Sequence, residues 1–144
     1  MPDDVAAGGA PGRAGAGPGG STPRRKILLV DDSATVLMME KMLLQRHPFD
    51  LLVAKDGAEG LERARTERPD LILMDVVMPR MDGFEAVRRI RADADLREIP
   101  VIMVTTRGEP VNVERGYTVG CSDYITKPID GLELLTKIRS YLGG

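Results

Sequence analysis

Short apolar runs alternate along most of the chain with segments in which apolar residues recur every three or four positions. The runs are bounded by charged residues, Gly or Pro, and a continuous apolar run of this length indicates a strand buried on both faces. The pattern therefore predicts five strands, over residues 27–30, 51–54, 71–74, 101–105 and 124–125.

The intervening segments have the spacing of amphipathic helices. Ser33 is expected to cap the first of them, because its hydroxyl can accept a hydrogen bond from the first turn. This helix ends before His47, and we expect its core residues to be Val36, Met38, Met39, Met42 and Leu43.

Two further helices begin with a capping box. Asp56 and Asp130 are each followed three residues later by Glu, which is typical of a helix N-terminus. The first box predicts a helix to about Glu67, and the second a helix with the apolar stripe Leu132, Leu135, Ile138 and Leu142. Gly83 opens another predicted helix, and a weaker one is expected over 110–119, where Gly and β-branched residues lower helix propensity.

Five strands and five helices in strict alternation predict one parallel sheet with helices on both faces, because strand–helix–strand crossovers are right-handed. Five strands fit the flavodoxin-like order 2-1-3-4-5 better than the six-stranded dinucleotide-binding order. We therefore predict an α/β, flavodoxin-like (βα)5 doubly wound sheet. Its switch point, where ligands bind, lies between the first and third strands.

Residues 1–23 differ from the rest, because Gly, Ala and Pro dominate and Val5 is the single aliphatic β-branched residue. Such a segment buries too little apolar surface to offset its conformational entropy, so we expect a disordered tail. Residues 24–144 are long enough for one domain with one core.

Composition excludes several classes of function. The net charge is −2 and aromatic residues make up 3% of the chain, which leaves no basic field or stacking surface for nucleic acid. One cysteine excludes a disulfide framework or a thiolate metal cage. No apolar stretch approaches the roughly 20 residues of a membrane span, and the N-terminus lacks the apolar core of a signal peptide. We expect a cytoplasmic protein without nucleic-acid or membrane partners.

Three carboxylates follow two strands that are neighbours in the predicted order: Asp31 and Asp32 after the first, and Asp75 after the third. Two like charges 4 Å apart repel by about 4 kcal/mol at an effective dielectric near 20, so such a cluster indicates a bound cation. Carboxylate oxygens without His or Cys favour a hard ion, and a few acids plus water suit Mg²⁺. A metal held in this way usually serves a phosphoryl group.

Two further side chains are expected at the same edge of the sheet. Lys127 ends the last strand and supplies a compact positive charge for a phosphoryl oxygen or a carboxylate. Thr105 ends the fourth strand and supplies a hydroxyl, with Thr106 as the alternative.

In this order and spacing, the sequence resembles a response-regulator receiver domain over about residues 25–142. The resemblance is carried by Asp31-Asp32, Asp75 with Met78-Pro79, Met81-Asp82-Gly83, Thr105, Tyr124 and Lys127-Pro128. No recognisable output segment follows the last helix, so the chain is similar to stand-alone, chemotaxis-type members, which implies a monomer.

The resemblance implies a role for each of these residues. Asp75 would take a phosphoryl group from the phosphohistidine of a histidine kinase or phosphotransfer protein. Asp32 and Asp75 would bind Mg²⁺ directly, together with the Val77 backbone carbonyl. Asp31 would bind the ion mostly through water. Lys127 would pair first with Asp75 and then with a phosphoryl oxygen.

The resemblance also implies a switch formed by Thr105 and Tyr124, which would move inward on phosphorylation. The altered binding face would be the fourth helix, the last strand and the last helix, and it would control a partner protein, with chemotaxis or motility as the candidate process. The Lys127–Pro128 peptide is expected to be cis. Aliphatic Val77 offers no hydrogen bond to an attacking water, which suggests slow loss of the phosphoryl group.

Two other functions compete with this binding switch. A phosphate shuttle or sink in a multistep relay would use the same residues. A Mg²⁺-dependent phosphohydrolase would need an Asp-x-Asp nucleophile pattern on the first strand, whereas Asp31 and Asp32 are adjacent. We therefore expect no enzymatic activity beyond the chain's own phosphoryl transfer and hydrolysis.

Overall fold

The five predicted strands are all present in the structure, a computed structural model that describes residues 24–106 and 110–143. They are β1 (Arg25–Val30), β2 (Phe49–Ala54), β3 (Leu71–Asp75), β4 (Val101–Thr106) and β5 (Asp123–Lys127). All neighbours are parallel and the order is β2-β1-β3-β4-β5, which confirms the predicted topology. The Lys127–Pro128 peptide is cis, as expected. The predicted tail, 1–23, lies outside the described residues.

Five helices connect and follow the strands: α1 (Ala34–Leu44), α2 (Gly57–Glu67), α3 (Gly83–Ala92), α4 (Pro110–Val119) and α5 (Gly131–Leu142). The predicted caps are present, because Ser33, Asp56 and Asp130 each accept a hydrogen bond from the backbone N–H three residues later. Asp82 caps α3 in the same way, which the sequence analysis missed. None of the described helices is long and apolar enough to cross a membrane.

Two apolar layers cover the sheet, one on each face. The first layer includes residues of α1 and α5, namely Leu37, Leu44, Leu134 and Ile138. The second includes residues of α2 and α3, namely Leu61, Ala64, Phe84, Val87 and Ile90, and also Cys121. The central strand β3 is buried along its whole length, as its apolar run predicts.

The predicted inward face of α1 is wrong at its methionines, whereas Leu43 packs against the core. The buried residues are Leu37, Glu40 and Leu44, whereas Met38 and Met42 are each 60% exposed. Residues 36–39 are all apolar, so their spacing alone does not distinguish adjacent faces of the helix. Packing against β1 and β2 selects the face one position away from the predicted one.

The predicted stripe of α5 is wrong at Leu132, which is 77% exposed. The buried residues are Leu134 and Ile138. Positions two apart on a helix point in nearly opposite directions, because each residue turns the helix by about 100°. Leu132 and Leu134 therefore cannot share one buried face.

Gly83 allows α3 to begin against the end of β3. A Cβ at this position would lie 2.1 Å from the backbone carbonyl oxygen of Asp75, closer than any side chain permits. The Gly83 N–H also donates a hydrogen bond to the Val76 carbonyl at 2.8 Å. The first residue of α3 therefore lies directly against the backbone at the end of β3.

Arg91 of α3 links the connections at the opposite, amino-terminal edge of the sheet. Its Nε donates to the carbonyl of Gly120, just after α4, at 2.7 Å. Its Nη1 donates to the carbonyl of Ile99, just before β4, at 2.7 Å, and its Nη2 donates to Ser122 Oγ, just before β5, at 3.3 Å. One side chain thus joins the C-terminal end of α4 to the starts of β4 and β5.

Candidate functional site

Strand register brings the predicted site residues to one edge of the sheet. Val30 pairs with Met74, so Asp31 and Asp75 are the next residues on two neighbouring strands. Asp75 in turn pairs with Val104, which puts Thr105 one residue beyond the level of Asp75 on β4. The predicted convergence at the switch point is therefore confirmed for these positions.

Asp31, Asp32 and Asp75 form a cluster of carboxylates. One oxygen from each residue can be chosen so that all three lie within 4.8 Å of one another. Asp31 and Asp75 are buried, whereas Asp32 is exposed and opens the cluster to solvent. We call these three residues, with Lys127 and Thr105, the acid pocket.

Lys127 neutralises part of this charge from the end of β5. Its Nζ lies 3.1 Å from Asp75 Oδ1 and 3.6 Å from Asp31 Oδ2. Burial alone would lower the pKa of Lys127, but the two carboxylates outweigh burial and raise that pKa above its ordinary value. The ammonium is therefore held in its charged form between two acids.

The two buried acids of the pocket are hard to ionise. Burial raises the pKa of Asp75, the neighbouring Asp31 raises it further, and Lys127 opposes both effects. Burial is also the main cause of the raised pKa of Asp31, which is opposed by the Ser33 N–H at 2.9 Å and by Lys127. A cation bound beside these carboxylates would favour their ionised form and offset their mutual repulsion.

Two buried polar atoms of this pocket, Asp31 Oδ2 and Thr105 Oγ1, make no hydrogen bond with the described residues. Among the described residues there are four such side-chain atoms: Asp31 Oδ2, Glu40 Oε1, Thr105 Oγ1 and Arg63 Nε. Thr105 is 1% exposed, whereas the alternative Thr106 is exposed and pairs with Lys127 in the sheet. The buried, unpartnered hydroxyl favours Thr105 over Thr106 for a role in the pocket.

Tyr124 lies on β5, where it pairs with Met103, two residues before Thr105 on β4. Its ring is half-buried and makes an edge-to-face contact with Tyr117 of α4, with the ring centroids 6.0 Å apart. Lys137 Nζ of α5 lies 5.0 Å from the ring centroid and donates to the Tyr124 carbonyl at 2.6 Å. Tyr124 therefore connects α4, β5 and α5.

Val77 follows Asp75 by two residues, and its side chain is 73% exposed. The preceding Val76 is buried, and its carbonyl accepts the Gly83 N–H. Val77 therefore presents an apolar side chain to solvent two residues after Asp75.

Glu40 is a buried acid of α1 that the sequence pattern did not predict. It is 1% exposed on α1, and it interacts electrostatically with Asp31, Asp75 and Lys127. Burial, followed by the charge of Asp31, raises the pKa of Glu40 to about 8, with Lys127 opposing. A charged residue among apolar ones on a helix is normally solvated, so nothing in the sequence indicates an inward Glu40.

The fold and the acid pocket together define a receiver of the kind found in two-component signalling. The family model of the response regulator receiver domain matches residues 27–139, and the chain belongs to this family. The predicted resemblance is thereby confirmed.

Individual relatives agree with this assignment. The chain is 42% identical to Protein PilH of Pseudomonas aeruginosa over 119 residues, which cover 83% of this chain and 98% of PilH. The solved structure of chemotaxis protein CheY4 of Vibrio cholerae superposes with a TM-score of 0.76 at 34% identity, covering 82% of this chain and 98% of CheY4.

Longer relatives contain a similar segment. The alkaline phosphatase synthesis transcriptional regulatory protein PhoP of Bacillus subtilis is 35% identical over 118 residues, and this chain spans about half the length of PhoP (48%). The chain is therefore similar both to a protein of nearly the same length as the matched region and to about half of a longer protein.

Proposed function

We propose that this chain acts as a response regulator in which Mg²⁺-dependent phosphorylation of Asp75 alters a binding face that controls a partner protein. The observation that carries the proposal is the Lys127 ammonium, 3.1 Å from Asp75 and beside a second buried acid at the switch point of the sheet. Similarity to the chemotaxis protein CheY4 supports chemotaxis or motility as the process that is controlled.

The residues of the pocket fit Mg²⁺. Their ligand atoms are oxygens from three carboxylates within 4.8 Å, which suits a hard ion that retains several waters. Asp31 Oδ2 is buried and accepts no hydrogen bond, although Lys127 lies 3.6 Å away. Asp32, Asp75 and the Val77 carbonyl would hold the ion directly, and Asp31 through water. Bound Mg²⁺ supplies positive charge that offsets the phosphoryl oxygens.

Asp75 is the proposed nucleophile, because its carboxylate lies at the carboxyl end of β3 beside Lys127. A carboxylate oxygen would attack phosphorus, the P–N bond of the phosphohistidine would break, and the imidazole would leave with the bonding electrons. Lys127 would then transfer its hydrogen bond from the Asp75 carboxylate to a phosphoryl oxygen.

Thr105 is the proposed link between the phosphoryl group and the binding face. Its buried hydroxyl makes no hydrogen bond with the described residues and would bind a phosphoryl oxygen in the active state. Tyr124, on the neighbouring strand, would follow this movement and change its contacts with α4 and α5. The phosphoryl group would thereby stabilise one of two conformations, which is a population shift.

Intact mass spectrometry after incubation with acetyl phosphate tests the proposal. We expect a gain of one phosphoryl group that requires Mg²⁺ and disappears in Asp75→Asn. Asp50→Asn, a change at an exposed acid paired with Arg24, is the matched control and should retain the gain. Phosphorylation that persists in Asp75→Asn, or that proceeds equally without Mg²⁺, would contradict the proposed site.

A further inference from the structure

Asp56 bonds to two different segments of the chain, one through each of its carboxylate oxygens. Of the four capping side chains on the described helices it is the one that is buried, with 3% of its surface exposed. Its Oδ1 accepts the Glu59 N–H at 2.8 Å, which caps α2. Its Oδ2 forms a hydrogen-bonded ion pair with Arg80, in the loop between β3 and α3. One carboxylate therefore joins α2 to the loop that follows Asp75.

This loop, residues 76–82, also contacts α2 through its backbone. The Gly57 N–H donates to the Met81 carbonyl at 3.1 Å, and a Cβ on Gly57 would lie 2.3 Å from that oxygen. Arg80 has a φ of +67°, a left-handed conformation that is unfavourable for a residue with a Cβ. Such a conformation persists where surrounding contacts hold it, and the ion pair and the Gly57 hydrogen bond are contacts of this kind.

The first part of the loop is fixed at the end of β3. Val76 and Met78 are buried, and the Val76 carbonyl accepts the Gly83 N–H at 2.8 Å. Val77 lies between these two buried residues, and its carbonyl is a proposed ligand of Mg²⁺. A ligand that is already held in place loses less conformational entropy when the ion binds, which raises affinity. Contacts that order this loop should therefore strengthen the binding of Mg²⁺.

We propose that Asp56 and Arg80 are positioning residues for the cation site, because their ion pair fixes the loop that carries the Val77 carbonyl. The inference rests on the proposed function of the acid pocket as a Mg²⁺ site. It assigns part of the Mg²⁺ affinity to two side chains that do not bind the ion. Groups that orient a metal ligand without touching the metal commonly change the affinity for that metal.

Arg80→Asn removes the ion pair without adding backbone strain, because Asn tolerates the left-handed conformation better than Arg does. Calorimetric titration should show a Mg²⁺ Kd several-fold higher than that of wild type. The rise should stay below the roughly tenfold or more that is usual for a group that orients a metal ligand, since the Arg80 side chain is 74% exposed.

Arg68→Asn is the matched control. Arg68 also has a left-handed backbone and pairs with an acid, Asp95, but it lies at the C-terminal end of α2. Its Mg²⁺ Kd should equal that of wild type. If wild type binds Mg²⁺ and Arg80→Asn binds it equally well, the inference is wrong and the Mg²⁺ site stands.

Asp56→Asn separates the ion pair from the helix cap. Asparagine caps helices about as well as aspartate, so the hydrogen bond from the Glu59 N–H is retained while the charge is lost. The Kd should again rise, and combining Asp56→Asn with Arg80→Asn should raise it by clearly less than the product of the two single effects. Single effects that multiply in the double variant would show that the two residues act independently, which would overturn the inference.

Hydrogen exchange of the Gly57 amide in EDTA measures the contact between the loop and α2 without any ion. Exchange should be faster in Arg80→Asn than in wild type or Arg68→Asn, because loss of the ion pair lets the loop open more often. Equal exchange in all three proteins would contradict the role of the ion pair. If wild type binds no Mg²⁺, the proposed site itself is wrong, and the positioning role fails with it.

Discussion

Lys127 is the cation on which the buried acids of the pocket depend. Its ammonium lies within 3.6 Å of both Asp31 and Asp75, which are buried, whereas a third of the Lys127 side chain remains exposed. Removing one partner of such a pair leaves an uncompensated charge, which costs more than the pair contributes. Lys127 therefore stabilises the fold by compensating the charge of these two acids, independently of any phosphoryl group.

Lys127→Met should lower the free energy of unfolding at pH 7 by about 1 kcal/mol, a value reduced for the solvent screening of Lys127. The loss should shrink at pH 5, because Asp31 and Asp75 both have raised pKa values and need less compensation once they begin to protonate. Urea denaturation at both pH values measures the difference. Lys41→Met, at an exposed lysine of α1, is the control, and an equal loss at pH 5 and 7 would exclude this explanation.

Val77 is the proposed determinant of how fast water removes the phosphoryl group from Asp75. Its exposed aliphatic side chain cannot hydrogen-bond to that water, so Val77→Asn should shorten the half-life of phosphorylated Asp75 several-fold. Timed loss of the phosphoryl group from purified protein measures this effect. Met38→Gln, which also replaces an exposed apolar residue with an amide, should leave the half-life unchanged, and an unchanged half-life in Val77→Asn would refute the role of Val77.

At the scale of elements, Tyr124 is held by the helices on both sides of β5. Tyr117 of α4 contacts its ring edge-to-face, and Lys137 of α5 binds its carbonyl and lies over its ring. Lys137 is itself fixed by Asp123 and Glu133, each with an oxygen 3.3 Å from Nζ. These contacts stabilise the observed position of the Tyr124 ring.

Lys137→Met should therefore shift Tyr124 toward its inward position, because it removes the cation–π contact and the hydrogen bond to the backbone. ¹⁹F NMR of fluorotyrosine-labelled protein should show a change at Tyr124 before phosphorylation, and acetyl phosphate should react faster. Lys41→Met again serves as the control. A Tyr124 resonance identical to that of wild type would show that Lys137 does not restrain the ring.

Sequence patterns predicted these elements unequally. Buried strands such as β3 were predicted correctly, because a continuous apolar run bounded by turns has few alternative structures. The buried faces of the helices were predicted less accurately. Helix α1 has apolar residues on adjacent faces, and Leu132 of α5 is apolar yet exposed. The acid pocket was predictable because its residues directly follow or end strands, whereas Glu40 lies mid-helix, where only tertiary packing decides its burial.

At the scale of the whole molecule, the raised pKa values make stability fall as pH rises. Asp31, Asp75 and Glu40 all bind protons more tightly in the folded state than in the unfolded chain. Their stabilising effect is fully present below the unfolded values of 3.8 and 4.5, and for Glu40 it is lost as pH rises through about 8.

Without Mg²⁺, the free energy of unfolding should therefore decrease between pH 5 and 8. Mg²⁺ at 100 times its Kd should raise the free energy of unfolding by about 2.7 kcal/mol, because it binds only the folded pocket. Thermal melts across this pH range, with Mg²⁺ and with EDTA, measure both effects. A stability that rises with pH in EDTA would contradict the electrostatics of the pocket.

The contacts of Arg91 bear on which end of α4 is free to move. Its guanidinium joins the end of α4 to the starts of β4 and β5, at the edge of the sheet opposite Asp75. One end of α4 is thus anchored, so a displacement that begins at Thr105 would turn the helix about that anchored end as a hinge. The distance moved would then grow along α4 toward Pro110, and a partner that senses the start of this helix would receive the largest change.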